Sequence, residues 1–418
     1  MGPGGSARGP AVSAVRVLRL ATGGDGIGRL ADGRTVFVPR TAPGDLVELT
    51  GLRSQKRFAR ARAARVLEPG PARVEPRCPH YVHDECGGCQ LQHLDASAQR
   101  EARRGFVGDS LRRIGGHDVP DPELVPASHE FDYRTKITLA VSGDGRRIGL
   151  HRYDRADQVF ELEWCHITVP ELMTLWQALR RLRPLFPGRL DAVVLRGDRD
   201  GGRHVLFRTS GGEAWGGGRP LLAELRAQGA SATIWWQPAG GAPRAVGGGS
   251  SAYPATVFEQ VHPEMGDRVR AHAITALGPV SGRRVWDLYA GMGQTSATLA
   301  AAGAQVQSVE VDRRAVEAAE RVGPPVRRLV GRVEHMLEEL TAPDLVITNP
   351  PRTGMDARVP ETLERLRPER LVYISCDPAT LARDLSRLPG FRLTAVQAFD
   401  LFPQTAHVET VAVLERAS

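Results

Sequence analysis

Two short stretches of this chain carry residue types suited to covalent chemistry. "SCDPATLARDL" (Ser375 to Leu385) places Cys376 directly after the apolar, β-rich run "RLVYI" (Arg370 to Ile374). Such a run followed by a turn signal reads as a short buried strand, which puts Cys376 on the loop at its carboxyl end. Asp377 and Pro378 break the strand, and Ala379 to Leu385 reads as the start of a helix. A free Cys usually behaves as a small core residue, whereas a thiol at the mouth of a strand also suits a nucleophile. The second stretch, "HVET", offers Glu409 as a proton acceptor.

Other motifs suggest what such a pair would act on. The turn "DLYAGMGQ" (Asp287 to Gln294) supplies Gly291 and Gly293 where backbone must approach a ligand closely. Glu310 ends the next strand, the position from which a carboxylate accepts hydrogen bonds from a ribose diol. This much fits NAD or S-adenosylmethionine. Ser296 stands where tight packing around a pyrophosphate wants a third Gly, and S-adenosylmethionine has no phosphates to cradle. "TNPPRTG" (Thr348 to Gly354) ends another strand, with two prolines stiffening the turn that holds Asn349. An Asn-Pro-Pro turn alone suggests amine methylation, but an amine is already nucleophilic and needs no thiol. Carbon 5 of a pyrimidine does need one: a thiolate adding at carbon 6 makes carbon 5 enolate-like, and a base then removes the carbon 5 proton.

Four further cysteines form a separate pattern. Cys78, Cys86 and Cys89 sit within "CPHYVHDECGGCQLQHL", and Cys165 follows in "EWCHI". A C-x-x-C pair with two more thiols suits a soft-metal site in a reducing compartment. Tetrahedral zinc is the alternative, with His80, His83 or His93 in place of the distant Cys165.

The elements that must position these groups fall into three regions: 11–68, 69–255 and 256–418. The first alternates short β-like runs ("VRVLRL", "TVFVPR", "DLVELTGL", "ARAARVLE") with Gly-rich turns such as "TGGDGIG", a pattern for a small antiparallel barrel. Arg53, Lys56, Arg57, Arg60, Arg62 and Arg65 give it a basic strip with Phe58 among them, suited to tracking phosphates. The middle region opens with the cysteines and passes through a basic helix-like stretch (Arg100, Arg103, Arg104, Arg112, Arg113). It continues as strands, including a hairpin turning at Gly143 to Gly145, and ends in "AGGAPRAVGGGSS" (Ala239 to Ser251), read as a loop or linker. The third region alternates strand-like and helix-like runs, which means a mostly parallel sheet with helices on both faces and a ligand at the strands' carboxyl ends.

With 418 residues, 41% of them hydrophobic, there is material for two or three domains. The net charge of +7 points toward an acidic partner such as nucleic acid, although the bias is Arg-borne and only Lys56 and Lys136 are lysines. No run of 18 apolar residues suggests a membrane span, and "MGPGGSARGPAVSA" has no apolar core of signal-peptide length. The expectation is a soluble cytoplasmic monomer whose cysteines are reduced, metal-bound or catalytic.

"SCDPATLARDL" together with "FDLFPQTAHVETV" (Phe399 to Val411) resembles the signature pair of the RNA uracil-5-methyltransferase family, and the N-terminal barrel resembles a TRAM domain. The resemblance implies an α/β chain with a class I Rossmann-like methyltransferase domain at its C-terminus, an OB-like TRAM barrel at its N-terminus, and a mixed α/β region between them. It implies Cys376 as nucleophile and Glu409 as the base for the carbon 5 proton. It also implies Gln260, Tyr289, Gly291, Glu310 and Asn349 as contacts to S-adenosyl-L-methionine. The four-cysteine set is similar to the [4Fe-4S] site of one branch of that family, with Cys78, Cys86, Cys89 and Cys165 as ligands. The implied partner is RNA, ribosomal in preference to transfer RNA, with Arg352 and Arg383 either steadying it or serving as ion-pair partners. Where the family usually has Asp, Asn and Asn, this chain has Asn349, Gln294 and His262, which removes one negative charge beside a sulfonium. An amine methyltransferase and a non-catalytic RNA-binding factor are the rival readings.

Overall fold

The computed structural model describes residues 14–249 and 260–417. The expected start of the barrel at residue 11 and the expected boundary at 255/256 lie outside the described residues. Strands β1 (Ala14–Leu20), β2 (Gly26–Arg29), β3 (Thr35–Val38), β4 (Leu46–Ser54) and β5 (Phe58–Glu68) close into a barrel in the order β1-β2-β3-β5-β4. Alternate residues such as Val15, Val17, Val36, Val38, Val47 and Ala59 fill its interior. Strand β2 begins inside "TGGDGIG", which the sequence suggested was only a turn. Its glycines are required by packing, because a Cβ on Gly26 would strike Thr41 Oγ1 and one on Gly28 would strike Val15 Cγ1.

Helices α1 (Pro79–His83) and α2 (Ala96–Arg113) and the short strand β6 (Leu124–Val125) follow. The middle sheet comprises β7 (Lys136–Val141), β8 (Ile148–Arg152), β9 (Arg155–Glu161), β10 (Leu190–Gly197), β11 (Arg203–Thr209), β12 (Thr233–Gln237) and β13 (Arg244–Gly247), in the order β13-β12-β11-β10-β7-β8-β9. Ile137, Leu139, Val193, Leu195, Val205 and Phe207 point to one face, where Leu172, Trp176 and Leu179 of α3 (Pro170–Arg181) and Leu221 and Leu225 of α4 (Gly218–Ala227) cover them. The β7–β8 hairpin turns as expected, with Gly145 N–H donating to Ser142 O at 2.7 Å. Strand β13, however, lies within 239–251, a stretch read as a loop. It is a four-residue edge strand whose order comes from pairing with β12 and not from its own composition.

The third sheet takes α5 (Pro263–Leu277), β14 (Arg284–Leu288), α6 (Gln294–Ala301), β15 (Gln305–Glu310), α7 (Arg313–Val322), β16 (Arg327–Val330), α8 (Val333–Met336), β17 (Leu345–Thr348), α9 (Arg358–Leu366), β18 (Arg370–Ser375), α10 (Pro378–Leu385), β19 (Phe391–Phe399) and β20 (Glu409–Arg416). Its order is β16-β15-β14-β17-β18-β20-β19-β6, parallel from β16 to β18 and antiparallel at β20. Both faces are buried: Val285, Ile347, Val372 and Val411 face one core, and Trp286, Val346, Leu371 and Ala412 face the other. Fully burying side chains of this kind contributes about 1.5–3 kcal/mol each. Because β6 pairs with β19, the middle stretch of the chain contributes a strand to the third sheet.

The basic stretch is indeed helical as α2, but it presents no bare cationic face. Arg103 is buried against Asp400 at 3.0 Å, Arg112 pairs with Asp109 and Asp121, and Arg104 pairs with Glu101. Among the described residues no helix is long and apolar enough to cross a membrane.

Candidate active site

Strand order reverses direction at β14, whose neighbours β15 and β17 lie on opposite sides. The crevice beyond the carboxyl ends of β14 and β17 is therefore where a ligand fits. Leu288 pairs with Thr348, so the next residues, Tyr289 and Asn349, both stand at that crevice. Asn349 N–H donates to Leu288 O at 3.2 Å and ties the Asn-Pro-Pro turn to the Gly turn. Tyr289 has φ +60°, a left-handed conformation uncommon for an aromatic residue and of the kind held at functional sites. Gly291 also has φ +56°, and a Cβ there would meet nothing within 4 Å, so the turn is open on that side.

Glu310 accepts from Gly291 N–H and Asp312 N–H, both at 2.8 Å. Each carboxylate oxygen thus already holds one backbone amide, and each retains a lone pair for a further donor. Beneath the turn, Ser296 donates to Asp287, whose carboxyl burial pushes up to about 6. Ser296 thereby replaces the third glycine with a specific hydrogen bond. Gln260 lies against Gly266 of α5, where a Cβ would come within 2.8 Å of its own Cβ. His262 is buried and stacked on Tyr133 with ring centroids 4.9 Å apart, and burial holds its imidazole down to about 4. Gln294 accepts from Arg270.

The second half of the site stands at the end of β18. Ser375 pairs with Thr410, so Cys376 and Glu409 are the next opposed positions across the ladder. Cys376 is half-buried, and burial and the Glu409 carboxylate raise its pKa. Glu409 is 2% exposed, its Oε2 has no hydrogen-bond partner among the described residues, and burial pushes its carboxyl up to about 8. Arg352 opposes both shifts and lies 3.4 Å from His407 Nε2. His407 is held down to about 4 by burial, and by Arg352 and Arg134 as well.

Loop "TNPPRTG" is held in place by Asp384, which is wholly buried. It accepts from Met355 N–H at 2.8 Å, from Tyr373 Oη at 2.8 Å, and from Arg383 and Arg387. Arg383 also donates to Thr353 O, which makes it an internal ion-pair partner, whereas Arg352 is the cation beside the thiol. Sequence reasoning missed Asp384, His407 and Arg134. The H-x-E spacing of His407 and Glu409 was an available signal; nothing local distinguished Asp384 or Arg134.

Cys78, Cys86, Cys89 and Cys165 line one cavity of about 170 Å³, whose lining does not include Cys376. Burial, and the neighbouring thiols with it, raise Cys78 and Cys89 and push Cys86 up to about 12. No three His, Cys, Asp or Glu side chains among the described residues are grouped to hold a single metal ion. Of the substitute ligands for zinc, His80 lines the same cavity but bonds Asp84 through Nδ1 and accepts Glu163 N–H at Nε2, and His93 Nδ1 bonds Tyr81.

Residues 326–417 match the family described as tRNA (Uracil-5-)-methyltransferase, and residues 11–64 match the TRAM domain. The chain is similar to the 23S rRNA (uracil(1939)-C(5))-methyltransferase RlmD of Thiobacillus denitrificans, with 31% identity over 442 residues covering 96% of this chain and 99% of the relative. An RNA methyltransferase of Gloeobacter violaceus is 33% identical over 460 residues, covering 99% and 98%. Among solved structures, the Pyrococcus abyssi tRNA (uracil-54, C5)-methyltransferase in complex with S-adenosyl-L-homocysteine has a TM-score of 0.74 at 26% identity, covering 96% of this chain and 99% of that one.

Proposed function

Because this chain belongs to the family of RNA uracil-5-methyltransferases, we propose that Cys376 and Glu409 carry out the carbon 5 methylation through a covalent adduct. The observation that carries this reading is the β18–β20 register, which sets a thiol opposite a buried carboxylate with an unpartnered oxygen. The Cys376 thiolate forms a bond to carbon 6 of the uracil, and the carbon 5–carbon 6 π electrons move toward the ring carbonyl. Bound S-adenosylmethionine supplies an electrophilic methyl group, which carbon 5 takes as the sulfonium–methyl bond breaks. The Glu409 carboxylate then removes the carbon 5 proton, the double bond re-forms, and the thiolate leaves. A carboxyl held near pH 8 suits a base working close to neutrality.

Gln260, Tyr289, Gly291, Glu310 and Asn349 are assigned to the cofactor because all border the β14–β17 crevice or the helix beside it. RNA of the ribosomal class is the favoured substrate, supported by the full-length relative named for 23S rRNA; transfer RNA, named for the structural neighbour, is the second reading. We assign RNA binding to 11–68, the cysteine-borne group to 69–255, and cofactor and chemistry to 256–418. The exposed Arg53, Lys56 and Arg57 of the barrel support the first assignment, while Arg60, Arg62 and Arg65 are partly engaged with Asp25, Glu85 and Glu48.

For the four-thiol cavity we propose a [4Fe-4S] cluster. The donors are all soft sulfur and line a shared void. Cys78, Cys86, Cys89 and Cys165 would hold it, and its contribution there is structural.

RNA containing 5-fluorouridine tests the central claim, since fluorine at carbon 5 cannot be removed as a proton. With S-adenosylmethionine present, 23S rRNA so labelled is expected to become covalently attached to Cys376. No adduct on ribosomal or transfer RNA would overturn the mechanism, and adduct on transfer RNA alone would reassign the substrate.

A further inference from the structure

The loop spanning 400–408 leads directly into Glu409, yet it contains no helix or strand. Its shape must therefore come from whatever it touches. Gln404 at its centre is 3% exposed and has φ +69°, a left-handed conformation that a side-chain-bearing residue holds only when its surroundings enforce it. Gln99 of α2 supplies that enforcement: its Oε1 accepts Gln404 N–H at 3.1 Å and its Nε2 donates to Gln404 Oε1 at 3.0 Å. A primary amide donates and accepts at once, so a single side chain closes both bonds. The Gln404 carbonyl is taken by the backbone N–H groups of Gln90 and Leu91 at 3.2 and 3.0 Å, and Gln90 Oε1 accepts Ala406 N–H at 3.3 Å.

Gln90 follows Cys89 directly, and the same segment is clamped from the barrel by Arg40 and Arg62, which bond Cys86 O and Glu85. The carboxyl group of Glu409 has no internal hydrogen bond at Oε2, so its aim depends on the main chain that carries it.

We infer that Gln90 and Gln99 are positioning residues for Glu409, acting through the 400–408 loop and linking the cysteine-bearing segment to the proton-removal step. The inference rests on the reading of Glu409 as the carbon 5 base. It specifies which step fails when the strap is cut. Thiolate addition and methyl transfer depend on Cys376 and the cofactor turn, neither of which Gln90 or Gln99 touches, whereas proton removal depends on a carboxylate placed to within a fraction of an ångström.

Two single-turnover measurements separate these steps in Gln90→Ala and Gln99→Ala. With 5-fluorouridine RNA, adduct formation is expected within about threefold of the unaltered chain; with ordinary uridine RNA, product release is expected to slow by about tenfold or more while the methylated adduct accumulates. Parallel loss of both rates, or no change in either, overturns the positioning role. Gln90→Ala keeps the test open if Gln99→Ala does not fold, because its side chain supplies only one bond to the loop. Glu409→Gln is the control: if it accumulates no adduct on uridine, the base reading fails, and that result is distinct from a failure of the strap.

Discussion

Cys376 directly follows the last residue of β18 and Glu409 opens β20, each one step beyond the Ser375–Thr410 pair that closes the ladder. Opposed residues in an antiparallel ladder have Cα atoms roughly 4.5–5.5 Å apart and share a face. The two groups proposed to act on adjacent ring carbons thus stand at the end of one ladder, and the Glu409 carboxylate raises the cost of ionising Cys376. Arg352 beside them offsets part of that cost.

Activity should rise with pH through the region around 8. In its proposed role Glu409 removes a proton only as a carboxylate, and burial holds its carboxyl up to about 8. Cys376 must also ionise, and its pKa is raised by burial and by Glu409. Single-turnover release of methylated product between pH 6.5 and 9.5 is expected to give an ascending limb; a release rate independent of pH below 8 would contradict the assignment.

Glu409→Gln should stabilise the fold while abolishing turnover. The folded pKa of about 8 lies above the ordinary 4.5, so the native state holds a proton that the unfolded chain releases between those values. Stability from this group is complete below about pH 4.5 and declines as pH rises toward 8. Replacing it with a neutral amide is expected to leave the melting temperature nearly unchanged at pH 5 and to raise stability by on the order of a few kcal/mol at pH 8.5. Thermal unfolding at the two pH values decides this.

Asp384→Asn should loosen the Asn-Pro-Pro loop from below. Asp384 is fully buried and is the common acceptor for Met355, Tyr373, Arg383 and Arg387. The amide keeps a single acceptor oxygen, so either the two guanidinium groups on Oδ1 or the Met355 N–H and Tyr373 hydroxyl on Oδ2 lose theirs, at a cost of about 1–3 kcal/mol. Urea unfolding is expected to show a lower midpoint at unchanged slope, and the reaction a greater loss in kcat than in KM for S-adenosylmethionine, since Arg352 and the thiol lie at that loop.

Protein prepared without oxygen should be brown and contain iron and acid-labile sulfide in equal amounts. Serine at Cys78, Cys86 or Cys89 should bleach it and lower its stability, because three buried thiols would lose the group that compensates their burial. A colourless protein carrying zinc in place of iron would overturn the cluster.

Much of the fold was legible because its signals are local. The run "RLVYI" with Asp377-Pro378 behind it marked a strand ending at a thiol, and Gly291 and Gly293 marked a turn that needs positive φ. Strands β2 and β13 were missed for one reason: Gly26 and Gly28 look like a turn, as "RAVG" looks like a loop, until a neighbouring strand supplies the hydrogen bonds.

The sequence by itself determined which residues have the chemistry: one thiol on a strand end, a carboxylate in "HVET", a Gly turn followed by an acid, and four cysteines apart from the fifth. Residue type and short spacing fix those properties before folding. Only the tertiary structure decided what each group becomes. The β18–β20 register brings Cys376 and Glu409 together, burial moves Glu409 to about 8, Arg383 becomes a brace while Arg352 stays at the thiol, and Gln99 grips Gln404 from 305 residues away. Proximity, dielectric and hydrogen-bond partners depend on chain segments far apart in sequence, so no local pattern can encode them.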